Sequence, residues 1–137
     1  MAGPCLQGGP ASARSGERGQ AAVEFALVLP AFALLVLAIV QLGAAFNDSL
    51  TLTDAVRAGA RQAAVARQQA DPIGRAVSRV REAASDLDQG KLAVNVSSDW
   101  LRGSPVEVTA TYPYEIDLLG VVVASGRLSS KTTERVE

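Results

Sequence analysis

The sequence predicts an α+β protein in which a long N-terminal helix crosses a membrane with its inner half and packs with its outer half on a small antiparallel sheet of three to four strands. Two observations predict this arrangement. Residues 25–40 carry no polar side chain, and the apolar character extends from Ala21 to Phe46. After Gly90 the spacing of apolar residues changes from a helical period to a period of two, which is typical of half-buried strands. A chain of 137 residues has room for one small globular domain beyond the apolar run.

The composition argues against several kinds of chemistry. Histidine is absent and Cys5 is the single cysteine, which excludes cysteine and histidine metal sites, an internal disulfide and histidine-based acid–base catalysis. The net charge of -1 gives no overall field toward nucleic acid or an anionic membrane. The sequence has no phosphate loop or nucleophile elbow, and the serines beside Lys131 lack the spacing of a serine–lysine catalytic motif. We therefore predict a protein that is not an enzyme and has no cofactor or metal.

The apolar segment, residues 20–46, has the length of a transmembrane helix. A bilayer core of ~30 Å needs roughly 20 helical residues, whereas the apolar region of a secretory signal has about 7 to 15. Pro30 removes one backbone hydrogen bond and is predicted to bend the helix. Because Gly43 and the two alanines after it are similar to a signal-peptide cleavage site, a secreted small domain cut near Ala45 remains an alternative.

The charges on either side of this segment predict its orientation. Arg14 and Arg18 precede it, and the first charges after it are acidic. Because basic residues stay on the cytoplasmic side, the N-terminus is predicted to be cytoplasmic. The domain of residues 47–137, a helix plus a small β-sheet, is then extracytoplasmic. The first 19 residues are rich in Gly, Ala, Ser and Pro and are predicted to form a disordered cytoplasmic leader.

Glu24 is a carboxylate just inside the apolar run, where a charge costs about 2.5 to 3.5 kcal/mol at the bilayer centre and less near an interface. The run offers no cation, and the nearest one upstream is Arg18. A cut after Gly19 would create a free amine on Gln20 and make Glu24 and Phe25 the fifth and sixth residues. The amine and the carboxylate, one helical turn apart, could then neutralise each other within a subunit or between staggered neighbours.

This arrangement resembles a type IV prepilin cleavage site, in which a short polar leader ends in glycine and the mature apolar helix carries glutamate at position five. Over Arg18 to Val65, about a third of the chain, the sequence resembles the TadE-like pseudopilins of the tight-adherence (Tad) pilus and secretion systems. The shared features are the opening "RGQAAVEFALVLP", the apolar helix and the segment "DAVRAGAR". The chain departs from many family members near the helix exit, where Gln41 and Leu42 replace an acidic or aromatic residue.

The resemblance implies a pilin-like minor subunit that is processed by a prepilin peptidase after Gly19 and supports pilus biogenesis and adherence. The partners it implies are the prepilin peptidase, other pilins and pseudopilins, the inner-membrane pilus assembly platform and the lipid bilayer. It also implies a single-pass protein of the cytoplasmic membrane that is either extracted into a pilus or kept at the initiating complex. The residues alone leave another alternative, which is a plain single-pass anchor for an extracytoplasmic binding domain with an uncut leader.

The membrane segment is followed by residues that favour a helix up to Gln69. Asp48 or Ser49 either caps a new helix or lies within a continuing one. A continuous helix from Ala21 would be ~73 Å long at 1.5 Å per residue. Its predicted apolar stripe consists of Leu52, Val56, Gly59 and Ala63.

Three charged residues of this helix, Asp54, Arg57 and Arg61, are spaced by three and four and therefore share a face. One interpretation is a solvated face with an ion pair worth ~0.3 kcal/mol. The other is a contact with a neighbouring subunit.

A second amphipathic helix is predicted to follow Asp71, which occupies a capping position before Pro72. Its predicted apolar stripe consists of Ile73, Val77, Val80 and Ala84. The three arginines in this helix lack interleaved aromatic residues and are followed closely by acidic residues. We therefore expect no nucleic-acid partner.

The remaining residues predict the sheet. Alternating apolar residues predict a strand from Leu92 and, after a turn near "RGSP", a second strand within residues 106–114 that pairs with it antiparallel. Residues 118–123 are predicted to be an apolar connector, either a short buried strand or a turn of helix. Residues 128–136 are predicted to form an edge strand. The large residues available to the core or to a contact surface are Trp100, Tyr112 and Tyr114.

Overall fold

The structure is a computed structural model that describes Gly3 and residues 14–137, with side chains described from Gly19 onward apart from Gly3. In this part of the chain two helices precede three strands, which confirms the α+β class with a three-stranded sheet. The elements are α1 (Arg14–Val65), α2 (Pro72–Ala83), β1 (Ala93–Ser98), β2 (Pro105–Leu118) and β3 (Val121–Arg135). The described residues up to Leu37 and residues 38–137 form two separate units.

Helix α1 begins earlier and ends earlier than the sequence predicts. Residues 14–19 are helical, so the prediction of a disordered leader is wrong for them, while the rest of the leader except Gly3 lies outside the described residues. Extending an existing helix adds a hydrogen bond for each residue without a new nucleation step, which favours helix here. The helix continues through Asp48 and Ser49 without a new cap and ends at Val65 rather than Gln69.

In the first unit, residues 19–37 of α1 are exposed along their whole length. They belong to a helix that is long and apolar enough to cross a membrane, and none of its most apolar window is buried. A helix that is apolar on all sides needs an apolar surrounding. In the part of the chain that the structure describes, this is the one helix whose length and composition suit a single-pass membrane anchor.

The core of the second unit lies between the outer part of α1, helix α2 and one face of the sheet. The predicted stripe of α1 is confirmed, because all four of its residues are buried. At its centre a Cβ on Gly59 would collide with Val80 Cγ2 and lie 3.2 Å from the carbonyl oxygen of Ala76. Gly59 therefore permits the close approach of α1 and α2. The buried residues of this core are Leu52, Ala55, Val56, Ala60, Ala63, Ala64, Ala76, Val80, Ala84, Leu87, Leu92, Val106, Val108, Ala110 and Val136.

Helix α2 has the predicted N-terminus but a different buried face. The Asp71 carboxylate accepts a hydrogen bond from the Gly74 N–H at 2.8 Å, and Pro72 is the first helical residue. Ile73, however, is 46% exposed, so the predicted stripe is wrong at that position. The buried residues Ala76, Val80 and Ala84 recur every fourth position, because the contact with α1 is centred on the small surface at Gly59.

The sheet is antiparallel with the order β1-β2-β3, which confirms the predicted pair and the edge position of the last strand. In the register, Val96 lies opposite Val108, and Val108 lies opposite Thr132. Alternate residues of β2 are buried against the core, as the period of two predicts. Trp100 and Tyr112 are partly buried and pack against the same core.

Residues 118–123 are an apolar connector, as predicted, but they form neither a short buried strand nor a turn of helix. These residues form the tip of a long β2–β3 hairpin, with a two-residue turn at Leu119 and Gly120 whose φ angles are +56° and +86°. Both angles are positive, as in the type I′ turn that suits the twist of a hairpin. The sequence conceals this turn because Leu-Gly lacks the Asn or Asp that usually marks it.

Candidate processing site and subunit-contact face

The glycine of the predicted cleavage site has no packing role in the fold. Gly19 lies inside α1, and a Cβ added there would meet no atom within 4 Å. Glycine in a helix interior is roughly 0.5–1 kcal/mol less favourable than alanine. Gly43 shares this open environment, whereas Gly59 is tightly packed. The helix itself therefore gives no reason for glycine at position 19.

Glu24 lies on the exposed surface of the apolar helix, one turn after Gln20. The Gln20 side-chain amide donates a hydrogen bond to Glu24 Oε1 at 3.2 Å. The donor is neutral, so it satisfies one oxygen but leaves the charge uncompensated. Among the side chains from Gly19 onward, the ion pairs involve other carboxylates. Among the side chains that the structure describes, Glu24 therefore has a neutral partner and no cation.

Phe25 follows Glu24 and is 66% exposed. The structure therefore places two of the predicted assembly residues on the surface of the first unit, next to each other in the chain. An exposed aromatic ring beside a carboxylate can contact lipid or the helix of another subunit without any rearrangement of this chain.

The predicted charged face of α1 is exposed in the second unit. Arg57 Nη1 lies 3.5 Å from Asp54 Oδ1, with side-chain exposures of 67% and 78%, and Arg61 is exposed one turn further along. The predicted ion pair is confirmed as a solvated one, and exposed pairs of this kind contribute at most about 0.5 kcal/mol. The buried stripe occupies the other side of the helix. Contact with a neighbouring subunit remains a prediction for these three residues.

Sequence reasoning missed the contact that attaches the hairpin to α1. The Gln41 amide binds both backbone groups of Asp117: Oε1 accepts from the Asp117 N–H at 2.8 Å, and Nε2 donates to the Asp117 carbonyl oxygen. A register shift between Ile116 and Asp117 interrupts the regular ladder at this point. The two partners are 76 residues apart in the chain. No local pattern could reveal the contact, although a lone amide after sixteen apolar residues was the available signal.

Comparison with models of protein families gives a match to part of the chain. Residues 19–61, less than a third of the chain, match the model of a family described as TadE-like protein. No curated protein and no solved structure matches the chain. The match begins at Gly19 and covers the apolar part of α1 together with Asp54, Arg57 and Arg61. The match confirms the resemblance found in the sequence over residues 19–61, which are similar to the TadE-like family, a family associated with the Tad pilus.

Proposed function

We propose that the chain is a minor pilin or pseudopilin subunit of a Tad-type pilus assembly and secretion apparatus, processed by a prepilin peptidase between Gly19 and Gln20. The observation that carries the proposal is the pair formed by Gly19 and Glu24. The glycine has no packing role, and the partner of the carboxylate among the described side chains is a neutral amide on an exposed apolar helix. Both residues are energetically unfavourable in the uncut helix. In the proposal, Gly19 is needed for the cut, and Glu24 pairs with the amine that the cut creates.

The cut would supply the missing cation. Gln20 would become the first residue and carry a protonated amine, one helical turn from Glu24. A cation and a carboxylate at this separation neutralise each other more effectively where the surrounding dielectric is low. If the amine belongs to a neighbouring subunit, pairing with Glu24 fixes the axial register between the two helices. Phe25 then lies at the same level as a contact for that neighbour.

In this proposal residues 1–19 are a cytoplasmic leader that is removed, residues 20–46 span the cytoplasmic membrane, and residues 47–137 form the extracytoplasmic domain. The basic residues before the span and the acidic residues after it support this orientation. The proposed partners are the peptidase, other pilins and pseudopilins, the inner-membrane assembly platform and the bilayer. The solvated face of Asp54, Arg57 and Arg61 is a proposed contact for neighbouring subunits, since its side chains are exposed.

Substitution of the glycine tests the processing step. The full chain is expressed in membranes with and without a prepilin peptidase, and the length of the product is followed by mass spectrometry. We expect peptidase-dependent shortening of the original chain and none for Gly19→Val. The matched control is Gly43→Val, since that glycine lies in the same helix and is equally open. Normal shortening of Gly19→Val would refute the proposal and favour the uncut single-pass anchor.

A further inference from the structure

The tip of the β2–β3 hairpin, residues 118–123, presents an apolar surface that the fold does not cover. Four of its six residues are apolar and more than half exposed: Leu119 (79%), Val121 (63%), Val122 (53%) and Val123 (55%). The stretch between Asp117 and Arg127 contains no charged residue. Contiguous exposed apolar surface of this kind marks an interaction site more often than an isolated exposed leucine does.

The turn keeps an apolar residue where local conformation disfavours it. Leu119 has a φ of +56°, a region in which glycine, asparagine and aspartate are much more favourable than leucine. Its side chain is 79% exposed, so packing inside the molecule does not explain the choice. Leucine at this position is unfavourable both for its backbone conformation and for its contact with water. This indicates that the Leu119 side chain serves an interaction with something outside the folded chain.

The tip lies beside the end of the apolar run in α1. Gln41 binds the backbone of Asp117, directly before the tip. On either side of Gln41, the helix exposes Ile39 (60%), Val40 (63%) and Leu42 (57%). The apolar tip and these helix residues therefore lie at the same level along α1, at the point where the candidate membrane helix meets the folded domain.

The length of the helix places this level at the surface of the bilayer. If Gln20 lies at the inner interface, the residues from Gln20 to Ile39 cover ~30 Å at 1.5 Å per residue, which is the thickness of the hydrocarbon core. Gln41 then lies in the outer interfacial region, within the last residues of the proposed span 20–46, and the tip to which it binds lies there too. This step rests on the proposed membrane insertion of α1.

We propose that the hairpin tip inserts into the outer interface of the lipid bilayer and forms a second membrane contact beside the transmembrane helix. Its backbone suits this position, since the Asp117 carboxylate accepts a hydrogen bond from the Gly120 N–H at 2.7 Å within the turn. Leu118 pairs with Val121 across the turn, so the ladder continues to its end. Few backbone groups at the turn need water, which is the condition for contact with lipid. The insertion would hold the domain against the membrane until the subunit is extracted.

Fluorescent labels on the full-length protein test the insertion. In a Cys5→Ser background, single cysteines replace Val122 at the tip, Ala33 in the span and Ser129 on the exposed part of β3. Each variant carries an environment-sensitive dye and is reconstituted in vesicles of phosphatidylcholine and phosphatidylglycerol. Quenching is measured with nitroxide-labelled lipids and with aqueous iodide. We expect lipid quenching at position 122 close to that at 33, and iodide quenching several-fold weaker than at 129.

The controls separate this inference from the proposed function. If iodide quenches the label at 122 as strongly as the label at 129, while lipid quenches the label at 33, the tip lies in water and the insertion is refuted although the span stands. If neither agent quenches position 122, the tip is covered by protein, which also overturns the inference. Absence of lipid quenching at position 33 would refute the membrane span itself and the insertion with it.

Discussion

At the scale of single residues, the isolated fold does not explain the residue type at several positions. Gly19 lowers helix propensity without relieving any contact, and Glu24 places a charge on an apolar surface. Gly59, in contrast, is explained by packing, because the two helices meet there. The same residue type therefore has two different physical reasons in one helix, and only the folded structure distinguishes them.

Glu24 gives the first prediction. Because its charge is expected to pair with the new amine of Gln20, Glu24→Ala should be cut normally but should fail to enter pili or the assembly complex. Glu24→Gln should fail as well, since the amide can still bond to Gln20 but carries no charge. Gln20→Ala is the control and should assemble, since the amine is retained. The measurement is the amount of subunit in sheared pili and in complexes isolated from membranes, and normal assembly of Glu24→Ala would refute the role in register.

Gly59 gives a prediction for stability. A Cβ there would collide with Val80 and approach the Ala76 carbonyl, so Gly59→Ala should lower the free energy of unfolding by about 1–3 kcal/mol. Gly43→Ala, in open space on the same helix, should be neutral or stabilising by up to about 1 kcal/mol. Denaturant unfolding in detergent, followed by the fluorescence of the single tryptophan, Trp100, measures both. Equal stability of the two variants would contradict the close helix contact.

At the scale of elements, Gln41 supplies the side-chain hydrogen bonds that join the outer part of the hairpin to α1 among the described residues. Gln41 binds both backbone groups of Asp117, and the core residues of β2 lie further along the strand at Val106, Val108 and Ala110. The tip should therefore be able to open locally while the core stays folded, because it contributes little to the buried apolar surface.

Removal of that side chain tests this local attachment. Gln41→Ala should speed amide hydrogen exchange at Asp117 by roughly five-fold, since a net hydrogen bond contributes about 1 kcal/mol. Exchange at Val108 should stay unchanged. The control is Gln62→Ala, which alters a half-buried amide elsewhere on α1. If exchange rises equally at both sites, the hairpin and the core open as one unit and the local attachment is wrong.

At the scale of the whole molecule, the parts that the sequence predicts well are those with a strong period. The buried stripe of α1, the capped start of α2 and the pairing of β1 with β2 follow from apolar spacing and from Asp71 and Pro72. The hairpin turn could not be predicted, because Leu119 contradicts ordinary turn chemistry. The exposed Ile73 and the Gln41 contact depend on how distant segments meet, which local patterns do not contain.

The candidate site, too, is predictable from the sequence only in part. The sequence alone was enough to select Gly19 and Glu24, since a charge in an apolar run and a glycine five residues earlier are visible as a pattern. The structure adds the open surroundings of the glycine and the neutral partner of the carboxylate. The role of Asp54, Arg57 and Arg61 needs a neighbouring subunit and is not determined by the fold of one chain.

The central claim is that the functional chain begins at Gln20. Amino-terminal sequencing of the membrane-associated protein, after expression of the full chain with a prepilin peptidase, tests it most directly. We expect the sequence "QAAVEFALVLP", with Gln20 first. A product that begins at Met1 would refute processing after Gly19 and indicate a plain anchor, and one that begins near Phe46 would refute it and indicate a secreted domain.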